Sequence, residues 1–115
     1  MLVELAVRNL GVIAEARVPL GEGLVALTGE TGAGKTMLVE ALGLLAGGKT
    51  DPKRVRTGAE EATVTGLLVL DGDEHVLKRV VPAAGRSRSY INGELSTAAE
   101  LAALMQRVVE VHGQH

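Results

Sequence analysis

The chain contains no cysteine, phenylalanine or tryptophan, and its one aromatic residue is Tyr90. Without cysteine it can form neither a disulfide nor a thiolate metal site. A single aromatic side chain also cannot build the stacking platforms on which many proteins hold single-stranded nucleic acid. The candidate functions are therefore those that rest on backbone, hydroxyl and charged groups.

Strong net charge and long apolar runs are also missing. The formal net charge is −2, so no global basic field draws the chain to nucleic acid. Charged residues interrupt the N-terminal stretch too early for a signal peptide, and no apolar run approaches membrane-spanning length. We expect a cytoplasmic protein with no membrane partner, and its 115 residues have room for one domain.

The most informative pattern lies near the front of the chain. It reads G-x-x-x-x-G-K-[ST], the loop that cradles the phosphates of a nucleoside triphosphate. Its glycines let successive backbone N–H groups surround a polyphosphate, its lysine reaches the β- and γ-phosphates, and its threonine hydroxyl is placed to ligate Mg²⁺. The predicted site for ATP and Mg²⁺ consists of Gly29, Glu30, Thr31, Gly32, Ala33, Gly34, Lys35 and Thr36.

The flanking sequence fits this interpretation, because the motif is meaningful only between a strand and a helix. Residues 23–28 form a short apolar run suited to a buried strand, and residues 35–46 carry apolar side chains at helical spacing. Gly47 and Gly48 then predict the end of the helix. The helix dipole would add positive potential at the phosphates. We predict an α/β fold of the P-loop NTPase class.

The rest of the chain predicts a small antiparallel sheet and a second helix. Alternating segments at 2–7, 12–18, 62–70, 76–81 and 88–91 are typical of strands, and the dipeptides at 71–72 and 92–93 of tight hairpin turns. Residues 49–58 form a polar, basic connector. Thr97 and Glu100 form a capping box that opens the last helix. Its apolar side contains Leu101, Leu104, Met105, Val108 and Val109.

Asp71 is a second candidate ligand for Mg²⁺. It follows the apolar residues 67–70, as does the acidic residue that holds Mg²⁺ in many P-loop enzymes. However, Gly72 and a second strand-like run come directly after it, and a hairpin turn explains the carboxylate without a metal. We therefore interpret Asp71 as a turn residue.

Several segments together resemble one family. The chain is similar to the N-terminal head segment of the RecN family of bacterial DNA repair proteins, and the general pattern is shared with other SMC-like, ABC-type ATPases. The resemblance covers residues 1–115. The segments that carry it are Leu2-x-Glu4-Leu5-x-Val7-x-Asn9, the loop at 28–36, Val55-Arg56-Thr57-Gly58, residues 86–93 and Val111-His112-Gly113-Gln114-His115.

This resemblance implies that the chain is the N-terminal half, lobe I, of an ATPase head that a long coiled coil divides. The C-terminal half of the same head, a second head joined by dimerisation, and DNA would be its partners, and the complete protein would be cytoplasmic and associated with the nucleoid. By position, Gln114 is the glutamine that reaches Mg²⁺ and the attacking water, which gives it a catalytic role beside Lys35. The fragment alone would then be inactive as an ATPase.

The remaining polar candidates stay open. Arg86 and Arg88 flank a serine on the predicted strand and would share a face that is either solvated or in contact with phosphate, with solvation favoured. Arg56 is a weaker candidate for a nucleotide contact. His112 and His115 have a spacing that could suit a metal, but loop packing explains them better without a third ligand nearby.

Two other functions compete with a repair ATPase. An ATP-binding subunit of a membrane transporter would need a transmembrane partner and usually an aromatic residue for adenine upstream of the phosphate loop, where this chain has none. A small P-loop kinase would need a basic lid and acceptor-binding residues, which we do not find in the sequence.

Overall fold

The computed structural model describes residues 1–20 and 32–112. The elements in chain order are β1 (Leu2–Leu10), β2 (Ile13–Pro19), α1 (Gly32–Leu45), a 3₁₀ turn (Pro52–Arg54), β3 (Glu61–Leu70), β4 (Asp73–Pro82), β5 (Arg88–Ile91), β6 (Glu94–Ser96) and α2 (Ala98–His112). The predicted strand at 23–28 lies outside the described residues. Within the described ranges, no helix has the length and apolar character needed to span a membrane.

The described strands form a six-stranded sheet in the order β2-β1-β3-β4-β5-β6, and each neighbouring pair is antiparallel. Short connections join β1 to β2 and each strand from β3 to β5 to the next, because antiparallel neighbours need only a tight turn. Strands β1 and β3 are also neighbours, although β2 and α1 lie between them in the sequence. The turn residues Asp71 (φ 53°) and Gly72 (φ 82°), and Asn92 (φ 53°) and Gly93 (φ 84°), have the paired positive φ angles of type I′ turns. Both predicted hairpins are therefore confirmed.

One face of the sheet is covered by the two helices, and the other is more exposed. Strand β3 shows this clearly, since its residues alternate between buried and half-buried along its whole length. The buried side of the sheet joins the apolar sides of α1 and α2 in one core. Its fully buried large side chains are Leu5, Val7, Leu10, Leu38, Leu45, Val64, Leu68, Leu77 and Leu101.

Helix α1 lies unusually close to the centre of the sheet at Gly66. A Cβ atom on Gly66 would lie 2.6 Å from Cδ1 of Leu45 and 3.3 Å from Cδ1 of Leu2. Both distances are shorter than ordinary van der Waals contact, and Leu45 is fully buried. The absence of a side chain at Gly66 therefore sets how closely the last turn of α1 can approach β3.

The end of α1 is fixed by a Schellman motif. The N–H of Gly48 donates to the carbonyl of Gly43 (2.9 Å), and the N–H of Gly47 donates to the carbonyl of Leu44 (3.1 Å). Gly47 has φ +85°, and a Cβ atom there would collide with the carbonyl oxygen of Ala98 at the start of α2. The predicted glycine stop is confirmed, and it also lets the two helix ends meet.

Arg79, on the sheet, also stabilises the C-terminal end of α1. This arginine lies on the covered face of β4, is 5% exposed, and its Nη1 donates to the carbonyl of Leu44 (2.7 Å). A cation is favourable there because the C-terminus of a helix carries partial negative charge. Burial lowers the pKa of the guanidinium, whose Nε has no hydrogen-bond partner among the described residues. The sequence analysis did not single out this buried charge.

The predicted capping box opens α2. The N–H of Glu100 donates to Oγ1 of Thr97 (3.1 Å), and the N–H of Thr97 donates to Oε1 of Glu100 (3.1 Å). The hydroxyl of Ser96 donates to the same carboxylate oxygen (2.6 Å). The Ser96 and Thr97 hydrogen bonds lower the pKa of Glu100.

The structure corrects three details of the sequence interpretation. Arg86 precedes β5 and does not share a strand face with Arg88, because β5 begins only at Arg88. Helix α1 begins at Gly32, inside the phosphate loop, rather than at Lys35. The three-residue strand β6, too short to show a clear alternation, was missed.

We expect Gly66→Val to destabilise the protein by about 2 to 3 kcal/mol, because the new side chain would overpack the contact between Leu45 and β3. Thr65→Val is the matched control, since it places the same side chain one residue away on the less buried face. Thermal unfolding followed by circular dichroism measures both. Equal melting temperatures for the two variants would show that the close approach at Gly66 does not constrain α1.

Candidate functional site: the start of helix α1

The described part of the phosphate loop forms the first turn of α1. Gly32, Ala33 and Gly34 already have helical backbone, and the exposed residues Lys35 and Thr36 follow directly. The unpaired N–H groups and the positive dipole end of a helix suit it to bind phosphate. Lys35 and Thr36 are therefore placed together at the end of the helix where the motif requires them.

Other predicted site residues lie outside the described part of the chain. These are Gly29, Glu30 and Thr31 in the first half of the loop and Gln114 after α2. His115 also lies outside it, and nothing is described of the His112 side chain. Their assigned roles remain predictions.

A cavity of about 260 Å³ adjoins the first turns of α1. It lies between the helix, the β1–β2 hairpin and the 3₁₀ turn. Its lining residues are Leu10, Val12, Ile13, Thr36, Met37, Glu40 and Arg54. Apart from Thr36 and one ion pair these are apolar, and Val12 at the hairpin tip is 87% exposed. The predicted magnesium ligand Thr36 thus borders a mainly apolar hollow.

The ion pair in this cavity joins Arg54 and Glu40 with two hydrogen bonds. Nε of Arg54 donates to Oε2 of Glu40, and Nη2 donates to Oε1, each over 2.7 Å. This bidentate geometry is the strongest form of an arginine–carboxylate contact. The hydrogen bonds to Glu40 raise the pKa of Arg54, which therefore stays charged.

The backbone holds Arg54 in the same place. The N–H of Gly11 donates to the Arg54 carbonyl (2.6 Å), and the N–H of Arg54 donates to the Asp51 carbonyl (2.9 Å). Gly11 has φ +59°, and a Cβ atom on it would lie 2.7 Å from Nη2 of Arg54. The guanidinium therefore occupies the space beside the hairpin that a side chain at Gly11 would need. Sequence patterns gave no sign of this arrangement, because its parts come from three distant segments.

Asp71 lies far from Thr36. Thr36 borders the same cavity as Leu10, at the C-terminal end of β1, whereas the N–H of Val69, just before Asp71, donates to the carbonyl of Met1. The nine residues of β1 separate these two ends by about 30 Å at 3.3 Å per residue. Asp71 occupies the hairpin turn, and its carboxylate accepts a hydrogen bond from Arg107 (2.8 Å). Its interpretation as a turn residue is confirmed.

The remaining arginines of the sequence analysis have other surroundings. The backbone N–H of Arg56 donates to the carbonyl of Asn9 (2.9 Å), and its side chain is exposed. Arg88 is exposed and forms a long ion pair with Glu61 (3.4 Å). The exposure of Arg86 and Arg88 agrees with the solvated positions that the sequence analysis favours for these two arginines.

The chain matches a known protein family by sequence. The family described as AAA domain matches residues 4–95. The DNA repair protein RecN of Streptomyces coelicolor is 43% identical over 94% of the chain, and that of Deinococcus radiodurans is 41% identical over 99%. The chain covers 22% and 21% of these relatives, so it spans about a fifth of their length, at the N-terminal end.

Solved structures show the same fold. A chain from work on ATP-driven dimerization and DNA-stimulated activation of SMC ATPases matches with a TM-score of 0.77 at 22% identity, over 91% of this chain and 77% of that one. At this identity the likeness concerns the fold alone, and together with the AAA domain match it confirms the predicted fold class. Because the family model matches most of its length, the chain belongs to the AAA domain family, and it is similar in sequence to the N-terminal part of RecN proteins.

Proposed function

We propose that this chain is the N-terminal ATP-binding lobe of a RecN-like ATPase that acts in the repair of DNA double-strand breaks and in recombination. The observation that carries the proposal is the similarity of the whole chain to the start of proteins named for DNA repair, combined with G-x-x-x-x-G-K-T at the start of α1. ATP and Mg²⁺ are the cofactors that this loop would take.

The binding chemistry follows from the start of α1. The N–H groups of the first helical turn would donate to phosphate oxygens, and Lys35 would neutralise charge on the β- and γ-phosphates. Thr36 would ligate Mg²⁺ through its hydroxyl. The exposure of both side chains supports this role, because a ligand can reach them without rearrangement of the core.

Turnover would need more than this lobe. The chain spans about a fifth of its relatives' length, and the groups that position water and stabilise charge in phosphoryl transfer would come in part from the remainder. We propose that the C-terminal half of the same head and a second head complete the site, and that Gln114 reaches Mg²⁺ and the attacking water. The nucleotide cycle would then drive head engagement and DNA handling in the cytoplasm, at the nucleoid.

The two competing functions lack comparable support. The relatives reported above are named for DNA repair, and the structural neighbour comes from SMC ATPases. Neither observation favours a transporter subunit or a small kinase.

Lys35→Ala should abolish ATP binding and leave the fold intact, because Lys35 is exposed and its charge serves mainly the ligand. Equilibrium binding of a labelled ATP analogue to the complete protein measures the effect, with circular dichroism as the fold control. Lys78→Ala removes an exposed lysine from the uncovered sheet face and should bind normally. Unchanged affinity in Lys35→Ala would remove the nucleotide assignment.

Gln114→Ala in the complete protein should leave ATP binding nearly unchanged but lower turnover by about tenfold or more, the scale of losing one positioning group. Stimulation of the variant by linear duplex DNA should also be weak, because DNA would act through head engagement. Gln106→Ala, at an exposed position on α2, is the matched control. If Gln114→Ala keeps both its turnover and its DNA response, this glutamine is an ordinary solvated residue.

A further inference from the structure

Within the part of the chain that the structure describes, Arg79 is the one charged side chain buried in the core. We infer that Arg79 is a positioning residue for nucleotide binding. It fixes α1 along its axis through the Leu44 carbonyl, and so sets where Lys35 and Thr36 meet the phosphates. This inference rests on the proposed function, because it assumes that the phosphates bind at the start of α1.

The stability of the fold does not account for a buried charge at this position. A charge taken out of water costs free energy unless it is paired and fully hydrogen-bonded. The cross-strand neighbours of Arg79 are Val64 and Ser89, which are uncharged, and its Nε has no hydrogen-bond partner among the described residues. The Leu44 carbonyl also accepts the N–H of Gly47 (3.1 Å), so it would keep a donor without the arginine. The bond from Arg79 therefore does something other than satisfy an unpaired carbonyl.

What the arginine adds to the packing of α1 is direction. The apolar contacts of the helix, such as that of Leu45 with Gly66, favour a given depth, but apolar burial has no preferred direction. A hydrogen bond weakens steeply when its geometry departs from the optimum, and the bond from Nη1 of Arg79 to the Leu44 carbonyl is 2.7 Å long. Strand β4, which carries Arg79, is paired with a strand on each side. The bond therefore ties α1 to the interior of the sheet and opposes sliding and rotation of the helix.

A displacement of this end of α1 would reach the phosphate loop. The helix is continuous from Gly32 to Leu45, and Thr36 precedes Leu44 by eight residues, or about 12 Å at 1.5 Å per residue. An axial shift of the helix would therefore move Lys35, Thr36 and the N–H groups of the first turn by the same amount. A misplacement of about 1 Å is enough to weaken the effect of a positioned group severely. Every phosphate contact that α1 makes thus depends on where Arg79 holds its other end.

Competition of ATP and of inorganic tripolyphosphate against a labelled ATP analogue, measured on the complete protein well below its unfolding transition, tests the inference. Arg79→Met should weaken the binding of both ligands by the same factor, about tenfold, because both use the same phosphate contacts. Its urea unfolding midpoint should stay close to wild type, because an apolar side chain in place of a buried charge is often neutral for stability. Arg79→Lys keeps the charge but loses the planar guanidinium, and it should weaken both ligands by a smaller factor.

Val108→Ala is the matched control. Val108 is buried on α2, one residue after Arg107, which contacts the turn at Asp71. This substitution should lower the urea midpoint and leave both affinities unchanged. Wild-type affinities in Arg79→Met, or a loss for ATP alone, would overturn the inference and leave Arg79 as a purely structural residue. If Arg79→Met does not fold, Arg79→Lys decides, and wild-type binding of both ligands by that variant contradicts the positioning role.

Lys35→Ala separates this inference from the proposed function. It should lose both ligands, because Lys35 would contact the phosphates directly. Normal binding in Lys35→Ala would contradict the nucleotide assignment itself. Loss of binding in Lys35→Ala together with normal binding in Arg79→Met would contradict only the positioning role of Arg79.

Discussion

The contact on which this structure depends is the packing of α1 against the centre of the sheet. The helix carries apolar residues around most of its circumference, and its buried side enters the space that Gly66 leaves open on β3. Its last turn is held at a fixed depth by the carbonyl contact with Arg79 and by the glycine pair that follows. Since the helix is rigid, fixing its C-terminal end also fixes where its first turn lies.

The position of that first turn governs the candidate site. It brings Thr36 beside the β1–β2 hairpin, and it places Glu40 where Arg54 can form two hydrogen bonds with it. The 3₁₀ turn therefore forms one side of the cavity, and the helix and the hairpin form the others. The candidate phosphate site and the neighbouring apolar cavity then follow from one packing arrangement. The same geometry leaves Asp71 at the opposite end of the sheet, in contact with Arg107 on α2.

The turns and helix ends could be predicted from the sequence, because the residue patterns that specify them are local. The Asp-Gly and Asn-Gly turns, the glycine stop after α1 and the Thr97–Glu100 capping box each depend on residues within a few positions of one another, and all of them are present. The Arg54–Glu40 pair and the burial of Arg79 could not be predicted in this way. Each joins segments that are distant in sequence, and an arginine with no local partner is usually solvated. Arg86 was wrongly placed on a strand because alternation does not reveal where a strand begins.

The proposed function requires that this chain binds ATP but cannot by itself hydrolyse it, because the remaining groups would lie in another part of the complete protein. Steady-state phosphate release by residues 1–115, compared with the complete protein at equal concentration, tests it most directly. The account predicts that residues 1–115 bind the nucleotide and release phosphate no faster than buffer, while the complete protein turns over. Robust turnover by residues 1–115 that Asp71→Asn abolishes would contradict it, because Asp71 would then be a metal ligand within a complete site.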